Sequence, residues 1–429
     1  MEGIVIVGVF LLLLLLRIPI AYALGMSTLV TILCFDSLNV QYLVQTMFTS
    51  CDSFSLLAVP FFIISGDVMV ATGISEKLIG FVKTMLGHRA AALSTITVIC
   101  CMFFAAISGS GVATVAAIGG IMIPAMVREN YDRGYAAAIS AAAGAMGPII
   151  PPSITFVMYA STIQGVSVAA LFTAGIIPGI LMGGVLLLYG YWLTKKNNWG
   201  TVTPKASQGE RVVAFRDAIW ALLMPVIILG GIYSGICTPT EAAVIACTYG
   251  VLVGFFVYKT LTLKKFYQVV RSSVISLGGC VIIMGFASAF GRILTLCQVP
   301  QSLASFVAGI SSNKFVVLLL INLFLFVVGM LMESIAAVVI VSPILLPVAQ
   351  AIGVSPVEFG VIMATNLAVG LCTPPVGVNT FMACQISGIT MEKVIKQLLP
   401  CIGLLFLTVI IISFFPQLYM WLPRLLGQA

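Results

Sequence analysis

The sequence predicts an all-α, polytopic membrane protein made of two inverted-topology repeats that contain re-entrant helical hairpins and discontinuous helices. Three observations support this fold class. Hydrophobic residues make up 61% of the 429 residues and charged residues only 8%, too few to cover a water-soluble surface. The second half repeats glycine and proline positions of the first. In each half, an apolar segment is interrupted by small polar residues and then by paired prolines.

The N-terminal apolar stretch is predicted to be a retained membrane helix over residues 3 to 24. A secretory signal peptide carries its positive charge before the apolar stretch and ends at a small-residue cleavage site. Here Arg17 follows the stretch, and residues 19 to 30 continue without charge. A helix of about 20 residues is long enough to cross a bilayer.

Cofactor chemistry is not indicated by the sequence. The eleven cysteines show no CxxC spacing and His88 is the single histidine, so a zinc or redox centre is not expected. No phosphate-binding GxxxxGK[ST] loop occurs. We therefore expect a transporter rather than an enzyme, with energy supplied by an ion gradient or by a partner chain.

The net charge of +7 indicates membrane topology rather than nucleic-acid binding. Basic residues cluster in the polar stretch 194 to 217 and again between Lys259 and Arg271, with two apolar spans between the clusters. Both clusters therefore face one side, which is the cytoplasm by the positive-inside rule. The N-terminus is then outside. The basic residues of an amphipathic stretch are predicted to lie at the cytoplasmic interface: Lys77, Lys83, His88 and Arg89.

A register shift of 223 residues superimposes glycines and prolines of the two halves. It places Pro124, Gly147, Pro151 and Pro152 on Pro347, Gly370, Pro374 and Pro375. A shift of 225 residues places Gly66 on Gly291 upstream of these. We expect a first repeat over residues 1 to 193, a basic cytoplasmic linker over 194 to 217 and a second repeat over 218 to 429. Because Arg17 ends the first helix whereas Glu241 occupies the matching turn, the repeats are predicted to be inverted.

Each half is predicted to contain a hairpin tip followed by a broken helix. The breaks are GPIIPPS (147 to 153) and GLCTPPVGVN (370 to 379), whose paired prolines lack backbone donors. A carbonyl freed at bilayer depth needs a partner, and a dehydrated Na+ ion is one; the alternative is a kink packed by neighbouring helices. Two Na+ sites are predicted, one from Ser108, Ser110, Gly147 and Ile150, the other from Glu333, Ser334, Gly370 and Thr373.

The chain resembles, over essentially its whole length, the large membrane subunit of tripartite ATP-independent periplasmic (TRAP) transporters, the DctM family. The most specific motifs are PFFIISGDVM (60 to 69), SGSGVATVAAIG (108 to 119), GPIIPPS, GICTPTEAA (235 to 243) and GLCTPPVG (370 to 377). The resemblance implies an elevator-type ion transporter fold in the bacterial inner membrane, with a periplasmic N-terminus. It implies scaffold helices at about 1 to 50 and 218 to 258, and transport elements at about 54 to 160 (hairpin near 108) and 273 to 386 (hairpin near 333).

The resemblance also implies Na+-driven import of an acidic solute, with at least two ions, and two protein partners. These are a small four-helix membrane subunit, expected on a separate chain, and a periplasmic substrate-binding protein. Sialic acid, other sugar acids and C4-dicarboxylates are the candidate solutes. The alternative functions are a stand-alone inverted-repeat symporter or anion exchanger, and a channel or respiratory-complex subunit.

Ionisable residues at bilayer depth suggest function by default. Asp67 and Arg292 occupy equivalent positions, so they either form a structural ion pair or Arg292 receives the substrate carboxylate. Glu333 either acts near the ion site or lies exposed at the cavity mouth. Thr240 and Glu241 are expected to cap a helix, the alternative being a contact with the binding protein. The residues predicted to bind substrate are Arg292, Asp67, Thr155, Pro151, Pro374 and Asn379.

Overall fold

A computed structural model of the chain describes residues 2–16, 18–35, 40–88, 91–201, 204–310 and 313–428. Every regular element in these ranges is helical. Eight helical segments in these ranges are long and apolar enough to span a membrane, with Gly111–Arg128 counted as one, and the number is nine if the bent pair Ala58–Ala71 and Ile74–Leu86 is a single span. Arg17 and Arg89, on which the topology and interface predictions partly depend, lie outside the described residues.

The helices of the first half run from an N-terminal pair to a long helix that ends in two lysines. Their bounds are α1 (Glu2–Leu15), α2 (Ile20–Cys34), α3 (Val40–Cys51), α4 (Ala58–Ala71), α5 (Ile74–Leu86), α6 (Ala92–Ser108), α7 (Gly111–Thr114), α8 (Gly120–Arg128), α9 (Arg133–Gly144), α10 (Ile154–Thr162) and α11 (Val168–Lys196). A 3-10 turn at Phe54–Leu57 precedes α4, and a π turn at Val115–Gly119 joins α7 to α8.

The helices of the second half follow the same plan. Their bounds are α12 (Gln208–Tyr233), α13 (Pro239–Leu252), α14 (Leu263–Leu296), α15 (Val299–Ile310), α16 (Lys314–Leu331), α17 (Ser334–Ala351), α18 (Pro356–Gly370), α19 (Val378–Ser387), α20 (Met391–Phe414) and α21 (Gln417–Leu425). A π turn at Val253–Val257 extends α13.

The predicted internal repeat is visible in these bounds. Shifted by 223 residues, the segment 111–128 becomes 334–351, which are the observed limits of α17. The packing between the halves is reciprocal as well, since α19 lies against α9 and α7 while α10 lies against α18 and α17. The fold is therefore two inverted repeats, each with a re-entrant hairpin and a discontinuous helix, as predicted.

Two local sequence predictions are wrong. The first helix does not run from residue 3 to 24, because α1 ends at Leu15 and Pro19 precedes α2. Proline disfavours a helical residue before it, so the chain breaks there. The cap of α13 is Thr238 rather than Thr240, whose hydroxyl donates to the Phe54 carbonyl at 3.2 Å.

The ends of the polar stretch between the halves are helical. Helix α11 continues to Lys196, and α12 begins at Gln208 after a capping box in which Ser207 accepts a hydrogen bond from the N–H of Glu210 at 3.2 Å. The connection between helices is therefore residues 197 to 207, narrower than the basic stretch 194 to 217.

The bend between α4 and α5 is held by the other half of the chain. The two helices meet at 65°, and Gly73 at the bend has a φ of 76°, which glycine adopts without a Cβ clash. Lys265 Nζ donates to the carbonyl of Ala71 at 2.5 Å, and the Thr260 hydroxyl donates to the carbonyl of Thr72 at 2.8 Å. These donors satisfy carbonyls at the end of α4 that have no helical partner.

Each hairpin packs backbone to backbone on the helix break of its own half, through its tip in the first half and through the end of α16 in the second. A Cβ at Gly147 would overlap the backbone of Ser110, and a Cβ at Gly370 would overlap the backbone of Gly329. In the second half the N–H of Val376 also donates to the carbonyl of Met330 at 3.3 Å. Because backbone atoms cannot turn aside as a flexible side chain can, both contacts require glycine.

We expect Gly147→Ala to lower the thermal unfolding midpoint of the purified protein in detergent, because the methyl group would push the hairpin tip off the break. Overpacking of this kind costs about 1–3 kcal/mol. Gly120→Ala is the matched control, since a Cβ there meets nothing within 4 Å. Equal midpoints for wild type and Gly147→Ala would contradict the packing described.

Candidate functional site

The tip of the first hairpin gathers three hydroxyl groups at the end of α6. The Oγ of Ser108 lies 3.1 Å from the Oγ1 of Thr114, and Thr114 donates to the Ser110 carbonyl at 2.7 Å. The Ser110 side chain accepts a long hydrogen bond of 3.5 Å from the N–H of Ala113, as the N-cap of α7. Several hydroxyl oxygens thus lie close to one another at the start of a helix.

The break that follows α9 leaves carbonyl groups without helical donors. In a continuous helix the carbonyls of Gly147 and Pro148 would accept from residues 151 and 152, but both are prolines. The Ser153 hydroxyl donates to the Pro148 carbonyl at 2.5 Å. Among the described residues no hydrogen bond reaches the carbonyl of Gly147 or of Ile150. Neutral oxygens are therefore left unused beside the hairpin tip.

The structure brings together three of the four residues predicted for the first Na+ site. Ser108 and Ser110 form the tip, and Gly147 packs directly on Ser110. Ile150 lies at the end of the break, where its side chain packs on Gly179 of α11. Sequence reasoning missed Thr114, although its position four residues after Ser110 on a helix would have indicated it. We call Ser108, Ser110, Thr114 and Gly147 the tip cluster.

The residues predicted for the second Na+ site lie at the equivalent place in the second half, but their hydrogen bonds differ from those of the first site. Thr373 donates its N–H to the Gly370 carbonyl at 2.8 Å and its hydroxyl to the Val369 carbonyl at 2.9 Å. Ser334 is buried, and its hydroxyl has no hydrogen-bond partner. Glu333 is the exposed N-cap of α17, and its side chain makes no cap hydrogen bond. The carbonyls of this break are more fully used than those of the first.

Asn379 joins the second break to the first hairpin. It is 0% exposed, its amide packs against Gly111 and Gly144, and its Nδ2 lies 3.6 Å from the Sγ of Cys372. Its Oδ1 has no hydrogen-bond partner. A buried acceptor without a donor costs about 1–3 kcal/mol, so this oxygen favours a ligand where the halves meet.

A cavity of about 500 Å³ lies between the halves, bounded by α3 and α10 from the first and by α14 and α17 from the second. Arg292 lines this cavity and carries the only formal charge among its described lining residues. Ser161, near the far end of α10, also lines it, about 12 Å along that helix from the first break at 1.5 Å per residue. We call this space the arginine cavity.

Hydroxyl groups on the cavity wall donate their protons to their own helices. The carbonyl acceptors lie three or four residues earlier, at 2.8 to 2.9 Å. They are Gln45 for Thr49, Met47 for Ser50, Met158 for Ser161 and Thr162, and Gly291 for Thr295. A hydroxyl whose proton is engaged offers only oxygen lone pairs to a ligand. The cavity thus presents one guanidinium and several acceptor oxygens, a set that sequence reasoning missed apart from Arg292.

The residues predicted to bind substrate lie in different places. Arg292 lines the arginine cavity, whereas the Asp67 carboxylate accepts a hydrogen bond from Ser273 on α14 at 2.5 Å. The described contacts include no ion pair between Asp67 and Arg292. The other four residues are close to the breaks and outside the described cavity wall: Thr155 and Pro151 are buried, Asn379 is buried, and Pro374 is half-buried.

Comparison with known proteins agrees with this architecture. The sequence profile of the "Tripartite ATP-independent periplasmic transporter, DctM component" matches residues 7–418. The chain is 44% identical over 417 residues to the isethionate TRAP transporter permease protein DctMQ of Oleidesulfovibrio alaskensis. This alignment covers 97% of this chain and 66% of that protein. It is 39% identical over 407 residues to the C4-dicarboxylate TRAP transporter large permease protein DctM of Pseudomonas aeruginosa. This alignment covers 95% of this chain and 95% of that protein.

A solved structure shares the fold. The crystal structure of the YdaH transporter of Alcanivorax borkumensis, described as having an unusual topology, matches 97% of this chain and 98% of that one. The TM-score is 0.63 and the sequence identity 18%, so this likeness concerns the fold alone. The profile match over nearly the whole chain and the two permease relatives establish the family: the chain belongs to the DctM family, the large permease component of TRAP transporters.

Proposed function

We propose that this chain imports an organic anion across the bacterial inner membrane, driven by Na+, with its N-terminus in the periplasm. The observation that carries the proposal is that each hairpin packs on a diproline break, where oxygen atoms have no hydrogen-bond donor among the described residues. Membership of a tripartite transporter family supports two partners, a separate small membrane subunit and a periplasmic substrate-binding protein.

Na+ coupling is supported by the chemistry of the tip cluster. Its oxygens are neutral carbonyl and hydroxyl groups, which are ligands for hard cations. A carboxylate buried in the same place would be left without a counter-charge when the ion leaves, and that is costly at bilayer depth; Glu333 of the second half is exposed and does not carry this cost. In the second half, Ser334, Gly370, Thr373 and Glu333 are the proposed ligands of a second ion.

An elevator movement is supported by how the broken elements pack. Each hairpin rests on the break of its own half, while α19 contacts α9 and α10 contacts α17. Close-packed elements move together rather than deform, so the hairpins and broken helices would travel as one body. The arginine cavity lies at the edge of this body, between α10 and α17 on one side and α3 on the other. Its contents would therefore be carried past α3.

Arg292 is the proposed receptor for the anionic group of the solute. A guanidinium binds a carboxylate or a sulfonate through two parallel hydrogen bonds. The relatives are named for a sulfonate, isethionate, and for C4-dicarboxylates, and sialic acid or another sugar acid would also present one carboxylate to this group.

Ser110→Ala should raise the Na+ concentration needed for half-maximal uptake by about tenfold, because one neutral oxygen ligand of the ion is lost. Uptake is measured against Na+ concentration in proteoliposomes that contain the complete transporter. Ser167→Ala is the matched control, since Ser167 is also a helix N-cap, accepting from Ala170 at 3.3 Å, but lies outside the tip cluster. If Ser110→Ala and Ser167→Ala showed the same Na+ dependence, Ser110 would not be a ligand of the ion.

Proteoliposomes with this chain alone should show no Na+-driven uptake of radiolabelled gluconate, 2-hydroxyethanesulfonate or succinate. Uptake should appear after addition of the small membrane subunit and the soluble binding protein, because the solute is delivered by that protein. Uptake by the chain alone at the same rate would instead favour a stand-alone symporter or exchanger.

A further inference from the structure

A second cavity, of about 830 Å³, lies at the bend between α4 and α5. Its wall comes from both halves of the chain. The end of α4 and the start of α5 form one side, and α12, the π turn that extends α13 and the start of α14 form the other. Lys265, whose ammonium group donates to the carbonyl of Ala71, belongs to this wall. We call this space the bend cavity.

The bend cavity lies at the level where apolar spans meet basic residues. The uncharged part of α12 begins at residue 218, and the uncharged span of α13 with its π turn ends at Tyr258, directly before Lys259. Trp220 and Tyr258 line the cavity, and such amphipathic rings are typical of a membrane–water interface. The cavity is therefore at the depth of the lipid headgroups, on the side that carries the basic clusters.

Five charged side chains line the described wall, and only two of them pair with each other. Lys77 and Asp217 form an ion pair at 2.8 Å. The side chains of Arg216 and Glu76 have no hydrogen-bond or ion-pair partner among the described residues. Lys265 uses one of its three N–H donors on α4 and keeps two. The groups left for a ligand are thus two cations and one carboxylate.

Part of the wall is apolar and exposed. Val70, Trp220 and Val257 line the cavity, and each is 38–39% exposed. A small soluble phosphate compound would leave these side chains uncovered, whereas a ligand that carries acyl chains would cover them and gain from the contact. The combination of charged groups and an apolar edge is typical of a lipid site.

We infer that the bend cavity binds the headgroup of a zwitterionic phospholipid, one that carries a phosphate diester and a primary ammonium group. The phosphate lies against Arg216 and Lys265, since basic pockets between membrane helices bind lipid phosphates through charged hydrogen bonds. The ammonium group of the lipid lies against the carboxylate of Glu76. The acyl chains continue along Val70 and Val257.

An anionic headgroup such as that of phosphatidylglycerol is a poorer match. It would satisfy the two cations but would bring a phosphate near Glu76 without a positive group for that carboxylate. Because the wall comes from both halves of the chain, the bound lipid would join α5 to α12 and α14 and hold the bend. The site is separate from the tip cluster and the arginine cavity, so the inference does not depend on which solute is transported.

The headgroup preference is measured on the permease purified with its small membrane subunit in detergent. The thermal unfolding midpoint is titrated at constant ionic strength with dioleoyl phosphatidylethanolamine or dioleoyl phosphatidylglycerol. Phosphatidylethanolamine should raise the midpoint saturably, with half of the rise at about a threefold lower mole fraction than phosphatidylglycerol needs. Phosphatidylglycerol acting at an equal or lower mole fraction would overturn the zwitterionic assignment.

A headgroup without acyl chains distinguishes a lipid from a soluble phosphate compound. Glycerophosphoethanolamine should have no effect at the concentrations at which phosphatidylethanolamine saturates, because it cannot cover the apolar edge of the cavity. An equal rise of the midpoint with glycerophosphoethanolamine would overturn the assignment of the site to a lipid.

Two variants test the charged groups separately. Arg216→Gln should raise the half-saturating mole fraction of both lipids by about three- to tenfold, whereas Glu76→Gln should raise that of phosphatidylethanolamine alone by about threefold. Arg271→Gln and Glu392→Gln are the matched controls. Arg271 is an exposed arginine of α14, Glu392 is a first-turn acid of α20 as Glu76 is of α5, and neither lines the cavity. Cavity variants that match their controls for both lipids would overturn the site.

A contact with the small membrane subunit is the competing use of the bend cavity. In that case Arg216→Gln would release the small subunit during size-exclusion chromatography and leave the response to phosphatidylethanolamine unchanged, which would overturn the inference. A small subunit that stays bound, together with a weakened response to the lipid, supports it.

Discussion

Backbone hydrogen bonding inside the bilayer is the constraint on which this structure depends. One diproline segment in each repeat removes N–H donors from the middle of that repeat, and no water is present in the hydrocarbon to replace them. The hairpins pack directly on the breaks, through Gly147 against Ser110 at the first tip and through Gly370 against Gly329 near the end of α16. The first break is thereby buried in protein, whereas Pro375 and Val376 of the second break are exposed. Irregular backbone is tolerated at membrane depth where it is buried in protein or lines a water-filled cavity.

The same contacts connect local geometry to transport. Since the tip and the break of each half are in backbone contact, and each broken helix also packs on the opposite half, these elements form a cohesive unit. Sliding such a unit past α3 requires no change in its interior. In the proposed elevator movement, the proposed cation ligands within this unit and the arginine cavity at its edge move together, so that one movement carries both the ion and the solute.

Much of this fold could be predicted from the sequence because glycine and proline act locally. Their spacing located both hairpin tips and both breaks, since removal of a donor by proline does not depend on the rest of the fold. The interruption before α2 at Pro19 is not predicted by hydropathy, because residues 19 to 30 continue the apolar run without charge. The acceptor oxygens of Thr49 and Thr295 could not be predicted, since their meeting depends on how α3 and α14 pack. The roles assigned to individual site residues stay predictions.

The two repeats are equivalent in backbone path but not in hydrogen bonding. At the first break no described residue donates to the carbonyl of Gly147, whereas at the second the Gly370 carbonyl accepts from the N–H of Thr373 at 2.8 Å. Near the second break, the buried side-chain oxygens without a hydrogen-bond partner among the described residues include the hydroxyl of Ser334 and the amide oxygen of Asn379. Backbone carbonyls are held by the fold, while side chains can turn at little cost. An ion at the first break would therefore meet a more preorganised site, and the second site would respond more to rearrangement of its surroundings.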